Sequence, residues 1–408
     1  MRFPTHRKNV SIPVQTLTRR ADIDWIRVGA FGLLILYHVG LYYAPWDWHV
    51  HSPHTFEWLR YGALITNPWR LTLLFLVSGV ALRFMSRRLT PAQVVRARAA
   101  RLIPPFLFGV LVLVPPQSWI EAMDKFGWRQ DFFAWWLNEF SPQGFRDGIP
   151  LNHLWFVLYI GVYSLIAAIL LLQPAVLRFI QRAFETLLSG PLLLILPIAY
   201  LAFSRQSLFA TYGLSNHLTT DWYNHATSLG VFLLGFTLAL SDRTWANFER
   251  QRWPALILAA VALPLLIWLQ ANPGGMAFDG LIQNSMYAID QWATICAVLG
   301  FASRHIRQAD GPLLRYLTDA VFPCYLAHQT ILVIAAHQLA PLALPVEVEA
   351  PLLATTTLGG SLLVYELVRR IGPIRPLWGL KRHPAPRAGK GSAATTAANP
   401  AARPAKAA

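Results

Sequence analysis

Two cysteines, Cys296 and Cys324, are all that the 408 residues contain, and each sits in an apolar run. So few support neither a disulfide framework nor a zinc site. Charge is scarce as well: 13% of the residues are Asp, Glu, Lys or Arg, where a soluble protein carries roughly 25%. The sequence has no glycine-rich phosphate loop, no zinc-type ligand spacing and no Gly-x-Ser-x-Gly elbow. ATPase chemistry and serine hydrolysis of the soluble kind therefore have no support. The first twenty residues are basic and polar and lack the apolar core and cleavage site of a signal peptide, so the first apolar run is expected to be retained. No internal repeat and no inverted pair of broken helices is visible, which counts against a transporter built from repeats.

What fills the chain instead is apolar. Hydrophobic residues make up 55% of it, in runs long enough to enter a bilayer. The fold class is therefore all-α, a polytopic membrane protein. Ten transmembrane helices are predicted, near 25–43, 66–84, 102–120, 153–173, 187–204, 226–241, 254–270, 285–302, 321–340 and 352–371. The fifth contains Pro197 and the sixth is short. This divides the chain into an N-terminal segment 1–21, a membrane domain 22–380 and a low-complexity tail 381–408. The tail, rich in Pro, Ala, Gly, Thr, Lys and Arg, cannot bury a core and is expected to be disordered.

The net charge of +15 would suggest nucleic acid in a soluble chain. Sorted by loop, it has another origin. With the N-terminus in the cytoplasm, 28 of the 35 basic residues fall on the inside, among them Arg83, Arg87, Arg88, Arg96, Arg98 and Arg101. The outer loops keep six, Arg60, Arg70, Lys125, Arg129, Arg146 and Arg205, together with eleven of the twenty acids. Shifting the register by one span breaks this separation, so both termini are expected in the cytoplasm. The cationic loops then face anionic lipid headgroups, and no nucleic acid is needed as a partner. The outer loops are long and aromatic, with Trp46 and Trp48 in one and Trp128, Trp135, Trp136, Phe140 and Phe145 in another. An interfacial belt is the common use of such residues; rings that stack on sugar faces are the other.

Arg27 and His38 stand at the two ends of the first apolar run. Eleven residues at a helical rise separate them by about 16 Å, and eleven steps of about 100° return nearly to the same face. Leu34, Ile35, Leu36, Val39 and Leu41 surround the histidine. A polar ring there needs a partner or a wet cavity. Low dielectric disfavours the charged form, so the ring is expected neutral and able to accept a hydroxyl proton as a general base. A snorkelling arginine and a histidine satisfied by another helix is the structural alternative. Arg98 and Arg101 lie three apart on one helical face, where paired guanidinium forks suit phosphate oxygens; an ordinary positive-inside anchor would look the same. Polar groups recur inside other spans: Asn152-His153-Leu-Trp155, Asp290, and Tyr325-Leu-Ala-His328-Gln329. Singly, each reads as a structural hydrogen-bonding residue. Together they indicate a polar cavity in the bundle, with His153, Trp155, Asp290 and His328 as candidate substrate contacts.

These residues resemble the membrane acyltransferase 3 family. Its members have ten core helices, an arginine or lysine separated by ten intervening residues from a histidine in the first helix, and a cytoplasmic Arg-x-x-Arg. Here Arg27, ten residues and His38 match the first motif, and Arg98-Ala-Ala-Arg101 the second. Leu74-Phe-Leu-Val-Ser78-Gly79 is similar to the family's Phe-Phe-x-x-Ser-Gly, and the His153 and Tyr325 segments also resemble family segments. The likeness runs from about Asp22 to Arg370. It implies acyl transfer, often of acetyl, from cytoplasmic acyl-CoA to a carbohydrate or glycan acceptor at or beyond a bacterial-type inner membrane. It implies His38 as the catalytic histidine and Arg98 and Arg101 near the CoA phosphates. Arg27 would hold the donor or the polar track, and no metal would take part. Succinyl transfer to osmoregulated periplasmic glucans is the nearest alternative within the family. A proton-coupled transporter using Asp290, His38 and His328 is the alternative outside it. Some members add an extracytoplasmic catalytic domain after the helices; this sequence has the low-complexity segment there, so direct transfer is expected. The histidines of the loop His49-Val-His51-Ser-Pro-His54 have no role in this reading.

Overall fold

A computed structural model describes residues 20–274 and 278–382. The expected N-terminal segment and tail lie almost wholly outside the described residues. Among the described residues the chain is helical, with no strand. Eight helices are long and apolar enough to cross a membrane: Ala21–Tyr42, Leu59–Ser86, Pro91–Phe126, Asn152–Leu171, Leu192–Tyr212, Asp242–Ala271, Pro312–Leu342 and Val346–Val368. Each contains most of one expected span. The other two, 226–241 and 285–302, fall on residues 222–238 and on Asp279–His305, which are helical but are not among the eight. The first is short and broken by a wide turn at His225–Leu229. The second is diluted by Gln283, Asn284, Ser285, Asp290 and Gln291. The helices therefore support eight crossings by length and composition, and the count of ten is not established by them.

Twelve of the helices among the described residues organise the body. We label them α1 (Ala21–Tyr42), α2 (Arg70–Ser86), α3 (Pro91–Phe108), α4 (Pro115–Phe126), α5 (Trp155–Leu171), α6 (Pro174–Leu187), α7 (Leu192–Ser204), α8 (Gly230–Leu238), α9 (Asp242–Ala271), α10 (Asp279–His305), α11 (Pro312–Leu339) and α12 (Val346–Val368). The expected span 187–204 starts late because 174–187 forms the separate helix α6, ended near the left-handed Gly190. Pro197 does not break α7.

Local chemistry sets the helix that carries the arginine pair. Thr90 caps α3 by accepting from the Gln93 backbone N–H, Gln93 returns the bond to the Thr90 N–H, and Pro91 opens the first turn. Arg98 and Arg101 follow within the helix, about two turns and one turn before Pro104 and Pro105. Those prolines withdraw backbone donors, and the chain passes through a wide turn at Gly109–Leu113 before α4 continues. Gly127, left-handed, ends it.

Two glycines allow α2 and α8 to touch backbone to backbone. A Cβ on Gly79 would sit 2.0 Å from the Phe232 carbonyl oxygen, and one on Gly235 would sit 2.3 Å from that of Leu76. The Ser78-Gly79 step is thus a close crossing, and it leaves Ser78 on the wall of an internal cavity. Phe75 and Trp292 fill the surrounding core, both fully buried. α11 packs on α1 on one side and on α12 on the other, while α9 and α10 run together along most of their length.

Candidate active site

One cavity of about 600 Å³ runs through the bundle. Arg27, Arg98 and Arg101 line one end, His38 and Tyr37 lie deeper with Arg70 stacked on Tyr37, and Asn67 and Asn216 also line the wall. Four arginines face this space, and no Asp or Glu among the described residues lines it. Such a lining favours anions.

α1 is unbroken from Ala21 to Tyr42, so the helical separation of about 16 Å between Arg27 and His38 holds. Both line the cavity, as their shared face requires. Arg27 pairs with Asp24 one turn earlier, at 2.9 Å. Arg98 donates from Nε to Ser164 Oγ at 3.0 Å, which ties α3 to α5 and leaves the remaining guanidinium N–H groups at the cavity. Arg101 is exposed at the mouth, near the Phe322 ring.

His38 Nδ1 lies 2.8 Å from the Leu34 carbonyl oxygen. A carbonyl only accepts, so Nδ1 carries the hydrogen and Nε2 keeps its lone pair. The fold thereby assigns the tautomer a general base needs. His328 lies beside it, ring centroids 5.1 Å apart and edge to face, and His153 lies 5.2 Å beyond. His328 donates from Nδ1 to the Tyr325 carbonyl, and His153 from Nε2 to that of Leu326. Their second nitrogens, His328 Nε2 and His153 Nδ1, are buried with no hydrogen-bond partner in the structure. Three imidazoles thus spend one N–H each on backbone and keep one bare nitrogen each. The Tyr325 hydroxyl donates to the His153 carbonyl and locks the two segments together.

Of the substrate contacts expected from sequence, His153 and Trp155 line the cavity. His328 is fully buried behind His38 and touches it instead of the cavity. Asp290 does not line it; its Oδ1 accepts from Thr294, while its neighbours Tyr287 and Gln291 are the lining residues on α10. A one-residue step around a helix turns a side chain by about 100°, enough to move it off the wall.

Two features escape the sequence reading. Arg70 is counted there with the outer loops, yet it is 1% exposed and on the cavity. The available signal was its place inside the expected span 66–84, since an ionisable residue within a span marks a site. His49, left without a role, binds the Glu121 carboxylate through Nδ1 and accepts from the Gln329 amide at 2.8 Å. Gln329 and Asn152, the chain neighbours of His328 and His153, both donate to Gln117 Oε1 and complete a polar cluster with His49 and Glu121. Only folding brings residues so far apart in the chain to one place.

A family model described as an acyltransferase domain matches residues 20–366 of the chain. No curated protein matches it, and no solved structure does.

Proposed function

The chain belongs to the membrane acyltransferase 3 family, and on that premise we propose that it moves an acyl group, acetyl foremost, from acyl-CoA to a hydroxyl of a carbohydrate or glycan acceptor. The observation that supports this best is the single cavity joining Arg27, Arg98 and Arg101 to His38, with no carboxylate on its described wall. The basic loops orient the arginine end to the cytoplasm of a bacterial-type inner membrane, where acyl-CoA is found.

Acyl-CoA, as the donor substrate, supplies an activated thioester carbonyl. Arg98 and Arg101 hold its phosphates by paired charge-assisted hydrogen bonds. Arg27, steadied by Asp24, extends that cationic floor along α1. Phe31 and Leu34, between Arg27 and His38 on the wall, give an extended apolar arm a track toward the histidine. His38 Nε2 accepts the acceptor's hydroxyl proton as the hydroxyl oxygen bonds to the carbonyl carbon. The carbon–sulfur bond breaks, sulfur takes the electron pair, and the imidazolium returns its proton to the thiolate. The Leu34 carbonyl holds the ring in place throughout. His328, packed edge-on, limits its rotation. Trp155 and His153 line the wall beside the hydroxyl-bearing substrate, Trp155 with an aromatic face. Asp290, off the wall, takes no part.

The test is full-length protein in vesicles supplied with labelled acetyl-CoA and a glycan fraction. Label in the glycan that depends on His38 supports the reading. Uptake of a polar solute driven by a pH gradient, with no acyl-CoA consumed, overturns it in favour of transport. Succinyl-CoA in parallel separates acetyl from succinyl transfer.

A further inference from the structure

Arg70 is a buried cation without a counter-charge. It is 1% exposed, yet among the described residues no carboxylate lies within 4 Å of it. Its guanidinium stacks 3.9 Å above the Tyr37 ring, and Nη1 donates to Thr66 Oγ1 at 2.7 Å. Its Nε is buried and has no acceptor. The fold handles another buried arginine differently: Arg20 also stacks on an aromatic ring, that of Trp245, but is held by the Asp22 carboxylate. Burying a guanidinium without an anion costs free energy that the cation–π contact offsets only in part. The side chain is not sealed in the core, because it lines the cavity beside Asn67, Thr72, Tyr287 and Asn216.

Its position separates it from the donor's phosphates. Tyr37 stands ten residues after Arg27 on an unbroken helix, a rise of about 15 Å. Arg70, stacked on Tyr37, therefore sits at the level of His38, where bonds are exchanged, and not at the arginine mouth.

Resting on the acyl-transfer reading, we infer that Arg70 is a subsite for a carboxylate carried by the substrate at the reaction centre. The carboxylate has two possible sources, the far end of a dicarboxylic acyl group or an acidic sugar of the acceptor. Either would approach the guanidinium from the cavity that it lines and supply the missing counter-charge.

The experiment uses full-length protein in nanodiscs and two matched pairs. The donors are acetyl-CoA and succinyl-CoA; the acceptors are a glucuronic acid oligosaccharide and its carboxyl-reduced form. Turnover and equilibrium binding are measured for wild type, Arg70→Gln and Arg70→Lys. Wild type is expected to prefer the carboxylate-bearing member of one pair by about 10- to 100-fold, the size of a charge-assisted hydrogen bond. Which pair shows it identifies the source. Arg70→Gln should abolish that preference while leaving the uncharged member within a few-fold of wild type, and Arg70→Lys should restore part of it. Equal use of both members by wild type overturns the subsite. So does an Arg70→Gln loss that is the same for both members, which marks a general structural or transition-state role. Carboxylate-dependent binding that Arg70→Gln removes, with no transfer to any acceptor, supports the subsite and sinks the acyl-transfer reading instead.

Discussion

Removing the His38 imidazole puts the catalytic reading at most risk. The structure limits what such a change should do. His38 is half-buried, its Nδ1 donates to Leu34 at 2.8 Å, and its Nε2 is the only nitrogen left to take a proton. A positioned general base contributes typically ~10²–10⁴-fold, or about 3–5.5 kcal/mol of barrier. His38→Ala and His38→Gln should therefore lower kcat by that factor. Glutamine keeps polarity and much of the volume but accepts no proton at neutral pH, so it should rescue stability and not rate. The arginine mouth lies about 16 Å away along α1, so KM for acyl-CoA should stay within a few-fold of wild type. Initial rates with labelled acetyl-CoA at saturating acceptor give both constants, and thermal unfolding in detergent checks the fold. Wild-type kcat in either variant, or a loss confined to KM, would refute the assignment.

Other outcomes follow from other parts of the molecule. Arg98→Gln and Arg101→Gln should each raise KM for acyl-CoA about tenfold or more, the worth of a charge-assisted contact, but leave unchanged the use of a truncated acyl thioester lacking phosphates. Gly79→Ala forces a Cβ to within 2.0 Å of a backbone oxygen that no rotamer change can move. It should destabilise the protein by about 1–3 kcal/mol or more on thermal unfolding. Gly29→Ala, with nothing within 4 Å of its Cβ, should be neutral or stabilising by up to about 1 kcal/mol. Asp290→Asn should keep acyl transfer near the wild-type rate, because the side chain is off the cavity wall; a loss of about 100-fold or more, the scale of a lost acid or base, would return it to the machinery.

Much of this molecule is local in origin. Apolar runs of bilayer length determine helices, since only a helix satisfies its own backbone in lipid. Helical periodicity alone puts Arg27 and His38 on one face and pairs Arg98 with Arg101, and the structure keeps both relations. Even the His38 tautomer is a within-helix matter, for its partner is Leu34, one turn back. The crossing count goes the other way: residues 222–238 are short and interrupted by a wide turn, and Asp279–His305 is diluted by polar groups, so neither joins the eight long, apolar helices.

Contacts between helices are another matter. Nothing in the spacing of α1 says that His328 of α11 lies against His38, or that His153 lies beyond it. Asp290 and Gln291 look equivalent in sequence, and only the rotation of α10 decides that the second reaches the cavity. Arg70 reads as a loop charge until Tyr37 is found beneath it and no acid beside it. Periodicity sets which way a side chain leaves its own helix; what it then meets depends on packing among helices distant in sequence, through close crossings such as Gly79 on Phe232. The chain alone thus determined the kind of protein and the two motifs, and the tertiary structure decided that they open on one cavity, with a fourth arginine inside it.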